Sequence, residues 1–372
     1  MDEATIAVDA RAFTPPVTGT GVALRETLAE MARLAPAIRW LLLVKHAPEL
    51  TPPLRSMRLL RIGGPVARLS ASAWLRWQAE AALERERCDL FLGALQIAPL
   101  RRTGRLPVLL QLHDLAFDRL PETLSLRNRL LLPRLVPPSL AEADHVLCFS
   151  EAIRREALAR YRLDPRRVSV APHGVHPRFA AARRNARRPD FLPERYLLFV
   201  GTLEPRKDLA TLLEAIERLG SAARIPLVLA GAPGWSGAAL RRRLARLERA
   251  GLVHRLGYAR DEVLPALYAH AEAFVLPSRY EGFGLPVLEA MAAGAPVVCC
   301  GEGAPAEVAG DAALAFPPGD AAALAATLAR LLDDARLREA LSKRGRARAA
   351  GFTWRRSAEA TLAAIRRLLD AR

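Results

Sequence analysis

The sequence predicts an α/β protein built from two doubly wound domains, and three observations carry that reading. Short apolar runs of strand length alternate with stretches whose leucines and isoleucines repeat at helical spacing, as parallel sheets covered by helices require. The alternation breaks at the polar, basic, proline-bounded segment AARRNARRPDFLPE (residues 181–194) and then starts over. A chain of 372 residues, 51% of them hydrophobic, exceeds one ordinary domain and suffices for two cores. The expected domains are 1–181 and 182–352. The last helix, 353–372, has no strand after it and is expected to pack back on the first domain.

In the first domain the strand-like runs are TIAVDA, RWLLLV, RLLRI, DLFLGA, VLLQLH, HVLCFS and RVSVAPHGV. Helices pass through VALRETLAEMARLA, through Trp74 and Trp77, through Leu126 to Leu135, and through EAIRREALARY, which Ser150 is placed to cap. In the second domain YLLFV, PLVLA, LVHRLG, AFVLP, PVVCC and AALAF alternate with helices beginning near Asp208, Gly237, Asp261, Pro286 and Asp320. Two such domains facing each other leave a cleft between the carboxyl ends of their strands, where α/β sheets bind ligands.

Composition narrows the function. The formal net charge of +16 invites a nucleic-acid reading. The arginines, however, are scattered through every helix and form no basic run interleaved with aromatics, so a solvated surface and no nucleic-acid partner are expected. Cys88, Cys148, Cys299 and Cys300 lie in apolar, strand-like segments without metal-type spacing and read as reduced core residues. There is no run of eighteen apolar residues, and MDEATIAVDA is acidic where a signal peptide is basic; a cytoplasmic chain without an export signal is expected.

The chemistry concentrates at three strand ends of the second domain. Gly201 and Thr202 follow YLLFV, GAPG follows PLVLA, and SRYEGFG follows AFVLP, so small residues on one rim let backbone N–H groups approach a ligand. In RYEGFGLPVLEAMAAG, Pro286 suits the first position of a helix that Gly294 ends. Glu281 then lies in the loop before that helix and Glu289 in its first turns. Either the two acids complement the helix dipole, or they serve a ligand bound there. Arg206 and Lys207 precede a helix that Asp208 is placed to cap, at the end where cations are disfavoured. Either Glu204 and Asp208 offset them at an exposed surface, or they clamp an anion, phosphate fitting best. A metal-held diphosphate needs clustered carboxylates. The rim loops carry none, and the acids of LLDDARL fall between C-terminal helices, so no metal is expected.

These residues resemble glycosyltransferase family 4, the retaining, metal-independent enzymes with the two-Rossmann-domain GT-B fold. The resemblance runs nearly the whole chain, through TGTG, HDLAFDRLPE, EADHVLCFSEAIRRE, APHGVHPRF, GTLEPRKDL, SRYEGFGLPVLEAMAAGAPVV and PAEVAGDAAL. It implies an acceptor-binding first domain and a donor-binding second one. It also implies that Glu281 faces the donor sugar near its reacting carbon and that Glu289 bonds the nucleotide ribose. Gly282, Phe283, Gly284 and Leu285 cup sugar and diphosphate, Arg206 and Lys207 neutralise the diphosphate, and Gly19 and Gly21 close over the phosphates. His113 resembles the family's active-site histidine; a core histidine at a strand end is the alternative, and Asp114 reads as a loop anchor. The donor most resembled is GDP-mannose, with UDP-sugars the alternative; the acceptor is a saccharide or lipid-linked saccharide.

Three departures stand out. Thr202 occupies the place where many relatives carry arginine, CCGEGAPAEVAG replaces a serine-containing stretch and puts the contacts of Glu307 in question, and TGTG lacks the full dinucleotide fingerprint. A sugar-nucleotide 2-epimerase of the same fold, or a binding protein that kept the nucleotide site, are the rival functions. Finally, Leu126, Leu130 and Leu131 can share a helix face flanked by Arg127, Arg129 and Arg134, with Trp74, Trp77 and Arg76 nearby in sequence. Either these leucines face the core, or the surface rests on an anionic membrane.

Overall fold

The computed structural model describes residues 4–14, 17–100, 106–223, 225–234 and 237–371. The chain divides into two compact units, Met1–Gly174 with Thr353–Arg372, and Val175–Phe352.

The first unit holds a seven-stranded sheet: β1 Thr5–Asp9, β2 Arg39–Val44, β3 Arg58–Arg61, β4 Leu90–Gly93, β5 Val108–Leu112, β6 His145–Cys148 and β7 Val168–Val170. Its order is β3-β2-β1-β4-β5-β6-β7, every pair parallel. The second unit's six strands are β8 Leu197–Val200, β9 Leu227–Ala230, β10 Val253–Gly257, β11 Ala273–Leu276, β12 Val297–Cys300 and β13 Ala313–Phe316. They run β10-β9-β8-β11-β12-β13, again all parallel. The strand order therefore reverses between β1 and β4, and again between β8 and β11. The carboxyl ends of strands at such a reversal frame the crevice where open α/β sheets take ligands.

The apolar strand runs are buried because helices cover both sheet faces. In the first unit Leu24, Leu28 and Met31 of helix Gly19–Leu34 join Ala358, Leu362 and Ile365 of helix Trp354–Asp370 over Ile6, Val8, Leu42 and Leu92. In the second unit helix Leu209–Ala223 packs on helix Ala321–Asp333.

The structure departs from the sequence reading in several places. The units part at Gly174/Val175 rather than after residue 181. The start of the expected linker, residues 181–185, is instead the end of helix Pro177–Asn185, whose buried Phe179 and Ala182 seat it on helices Leu264–Ala269 and Leu285–Ala293. Helices Gly303–Ala309 and Ala335–Ala349 add to those expected; Asp334 of LLDDARL caps the second, accepting from the Leu337 N–H at 2.9 Å. Pro286 is the second residue of its helix, which starts at Leu285. The cysteines are free thiols; Cys148, Cys299 and Cys300 are buried and Cys88 is half-buried.

Helix Leu126–Glu142 turns Leu135, Val136 and Leu140 inward but leaves Leu126 73% and Leu130 51% exposed. Trp74 and Arg76 are buried, the arginine forked onto Glu142 at 2.6 and 2.7 Å, so of that group only Trp77 faces solvent. Among the described residues no helix is long and apolar enough to cross a membrane.

Candidate active site

The three glycine-bearing loops of the second unit meet at the β8/β11 reversal. The loop after β8 lies against the loop after β9: Leu203 N–H donates to Ala232 O at 3.1 Å, and a Cβ on Gly231 would come within 1.9 Å of Gly201 O. The same loop reaches the one after β11, where Arg279 N–H donates to Arg206 O at 3.0 Å and Arg206 Nη1 to Tyr280 O at 2.8 Å.

At this junction lies a buried charge cluster. Lys207 Nζ donates to Glu281 Oε1 at 2.5 Å and Arg206 Nη1 to Glu281 Oε2 at 2.7 Å, while Arg206 Nη2 holds Glu204 Oε1 at 2.6 Å. Lys207 is 8% exposed and Glu281 9%. Burial pushes the Glu281 carboxyl up, but the charges of Arg206 and Lys207 outweigh it and hold the group at about 2. Glu281 is thus an anion at any working pH.

The two cations and two carboxylates sum to no net charge. Glu204 does offset Arg206, as one of the two sequence readings had it, but Lys207 is a buried group and not a surface one. Its ammonium spends one of three N–H donors on Glu281. Gly201, which follows β8, lies against it: a Cβ there would make van der Waals contact with Lys207, 3.5 Å from Cε and 3.8 Å from Nζ. Asp208 turns the chain into helix Leu209–Ala223, accepting from the Thr211 N–H and hydroxyl at 3.4 and 2.8 Å.

The loop Gly282–Leu285 offers backbone. Phe283 is buried edge-on to Phe352, ring centroids 6.1 Å apart, and Gly284, at φ 102°, takes a left-handed turn that a side chain would strain. Glu289, one turn into helix Leu285–Ala293, does not join the Arg206–Lys207 cluster. Its Oε2 accepts from the hydroxyl of buried Tyr268 at 3.0 Å. Burial raises its carboxyl to about 7, against the Tyr268 hydrogen bond and the charge of Arg178, with Asp261 adding to the rise.

In the first unit, His113 follows β5 and is part-buried. Its Nε2 lies 2.7 Å from Ala94 O, which only accepts, so Nε2 carries the proton and Nδ1 is left as an acceptor. Burial chiefly holds the ring below its ordinary pKa, hence neutral. Phe149 stacks on it at 4.8 Å and His173 on Phe149 at 3.9 Å. Asp114 anchors its loop by accepting from the Ala116 N–H at 3.0 Å. Gly19 is the exposed first residue of helix Gly19–Leu34, and Gly21 is buried two residues on, where a Cβ would stand 2.4 Å from Ala12 O. Gly21 is therefore explained by close packing as well as by any phosphate above it. Thr202 is part-buried in the loop after β8.

The sequence reading brought Arg206, Lys207, Gly201 and Glu281 to one rim. It missed that both cations bond Glu281 itself, and it missed Tyr268 and Arg178 beside Glu289. Tyr268 gave no signal because it falls in the apolar stripe of its helix.

Two family models match the chain: Glycosyltransferase Family 4 over residues 17–179, and Glycosyl transferases group 1 over residues 183–348. The chain is 44% identical over 175 residues to O-antigen chain mannosyltransferase B of Escherichia coli, covering 46% of each chain. It is 34% identical over 244 residues to a D-inositol 3-phosphate glycosyltransferase of Salinispora arenicola, covering 60% of this chain and 54% of that one. It thus spans about half the length of the curated relatives it matches. Sucrose-phosphate synthase from Thermosynechococcus elongatus superposes with a TM-score of 0.77 over 99% of this chain and 100% of that one, a likeness of fold at 24% identity.

Proposed function

The chain belongs to glycosyltransferase family 4, and from that premise we propose that it moves a hexose from a nucleoside-diphosphate donor to a saccharide acceptor, retaining the anomeric configuration and using no metal. The buried Arg206–Lys207–Glu281 cluster beside Gly201 is the observation that carries this reading. As the bond between the anomeric carbon and the phosphate oxygen breaks and the acceptor oxygen bonds to that carbon, passing its proton to the departing phosphate oxygen, negative charge gathers on the leaving diphosphate. Lys207's unspent N–H donors and the helix N-terminus at Leu285 answer that charge. Glu281 holds both cations in place and presents its carboxylate to the donor sugar. Gly282–Leu285 contribute backbone contacts, and Glu289 Oε1 receives the ribose hydroxyls.

Mannose from GDP-mannose is the donor we favour, supported by the 44% identity to a mannosyltransferase. A thermal-shift panel of GDP, UDP, ADP and dTDP with their sugars tests it. A nucleotide at about a hundred times its dissociation constant stabilises by about 2.7 kcal/mol, and the GDP series is expected to give the largest shift. A larger shift from UDP-sugars moves the assignment to them. Turnover of donor alone, without acceptor, marks an epimerase instead.

A second element concerns the acceptor. Leu126 and Leu130 stand exposed on one helix face with exposed Arg127, Arg129 and Arg134 around them. Apolar side chains ringed by cations suit the surface of an anionic bilayer, so we place the acceptor on a lipid at that surface.

A further inference from the structure

Glu289 has two carboxylate oxygens with different fates. Oε2 accepts from Tyr268 Oη at 3.0 Å, whereas Oε1 makes no hydrogen bond among the described residues. Tyr268 is fully buried on helix Leu264–Ala269. Its ring is held edge-on by Phe179 at 5.8 Å and by Phe274 at 5.4 Å, with interplanar angles of 67° and 69°. The turn that carries it is pinned in its own right, since Tyr196 Oη donates to Leu267 O at 2.7 Å. A phenol clamped on both sides has one place to put its hydroxyl, and that place is Glu289.

We propose that Tyr268 is a positioning residue for the donor nucleotide: its hydroxyl engages Oε2 of Glu289, fixes the carboxylate plane and reserves Oε1 for the vicinal hydroxyls of the ribose. This rests on the ribose role of Glu289 and adds a residue to it. Ribose presents two adjacent O–H donors, and one carboxylate oxygen with two lone pairs matches them. Without the tyrosine the carboxylate rotates about its last torsion, which is broad for a glutamate, and must be ordered by the ligand. Burial and the charge of Glu289 keep the Tyr268 phenol protonated, so it donates throughout the working range. The groups that face Glu289 are Tyr268 on its helix, Arg178 on helix Pro177–Asn185 and Asp261 in the loop after β10. Of these, Tyr268 alone donates a hydrogen bond to it.

The test is calorimetric titration of GDP, UDP and their 2′-deoxy forms between pH 5.5 and 8.5. Wild type, Tyr268→Phe and Glu289→Gln are compared, with thermal melts reporting their folding. Tyr268→Phe keeps the ring and loses the hydroxyl. It is expected to weaken the ribonucleotide about tenfold, the scale of one hydrogen bond to a charged group. It should also shrink the penalty for removing the 2′-hydroxyl and move the pH midpoint of binding upward, because a donor that stabilised the carboxylate is gone. In kinetics the loss falls on donor KM more than on kcat, which a purely packing role does not predict. Wild-type affinity and midpoint in Tyr268→Phe, alongside weakened binding in Glu289→Gln, overturn the positioning role. Unchanged binding in Glu289→Gln overturns the ribose reading and this proposal with it. Should Tyr268→Phe fail to fold, fluorinated tyrosines placed at position 268 decide: ribonucleotide affinity that changes with the acidity of the phenol supports the proposal, and affinity indifferent to it overturns it.

Discussion

Lys207 Nζ lies 2.5 Å from Oε1 of Glu281, and both side chains are buried. A charge pair withdrawn from water costs more to break than it gains by forming, because the survivor is left unpaired in a low dielectric. Lys207→Ala therefore carries two penalties. It leaves Glu281 to Arg206 alone, a loss of about 3 kcal/mol or more in a urea melt, and it removes a charged donor from the leaving group, slowing turnover by about a hundredfold. The double variant Lys207→Met with Glu281→Gln separates the two effects: stability recovers and turnover does not. Recovery of both would reduce the pair to a structural device.

Glu281 and Glu289 share a loop and helix yet differ in partners, so their amide variants should differ in kinetics. Glu281→Gln is expected to lower kcat, since the carboxylate answers charge at the reacting centre. Glu289→Gln is expected mainly to raise donor KM. An exchange of those phenotypes in initial-rate measurements would reverse the assignment.

Stability should also depend on pH through Glu289. Its folded pKa of about 7 stands above the ordinary 4.5, so between those values the folded state keeps a proton that the unfolded chain has lost. Stability is full below about 4.5 and falls as pH rises through 7, by up to about 3 kcal/mol at 1.36 kcal/mol per unit. Glu289→Gln removes that loss. Its stability relative to wild type is expected to be greater at pH 8 than at pH 4.5, and melts that keep the same offset at both would contradict the raised pKa.

The exposed Leu126 and Leu130 make membrane attachment measurable by sedimentation with vesicles. Binding to anionic but not neutral vesicles, weakened by salt and lost in Leu126→Ser with Leu130→Ser, is expected. Failure to bind at low salt, with full activity on a water-soluble acceptor, removes the membrane from the account.

The inner strands were readable because they are short, nearly continuous apolar runs, as burial on both faces demands, whereas the edge strands β3 (RLLR) and β10 (VHRLG) are only partly buried. Helix Pro177–Asn185 was not. Among the described side chains Phe179 and Ala182 are its buried residues, and the surrounding arginines gave it the composition of a linker. The rim of the second unit was legible through its glycines and through Arg206 and Lys207 at a helix start. Their direct pairing with Glu281 was not, because it joins residues 74 and 75 positions apart that no local pattern links. Tyr268 was hidden for the opposite reason: a tyrosine in an apolar stripe is indistinguishable from core until its hydroxyl is seen to meet a carboxylate.

The central claim is that protein cations, without metal, receive the donor's diphosphate. Titration of GDP, and of UDP in parallel, into the protein in excess EDTA tests it most directly, with Lys207→Ala beside wild type. The account predicts saturable binding of at least one of the two nucleotides in EDTA, unaffected by added Mg²⁺ and weakened about tenfold or more in Lys207→Ala. Binding that appears only when Mg²⁺ or Mn²⁺ is restored, or that is equally tight in the variant, contradicts it.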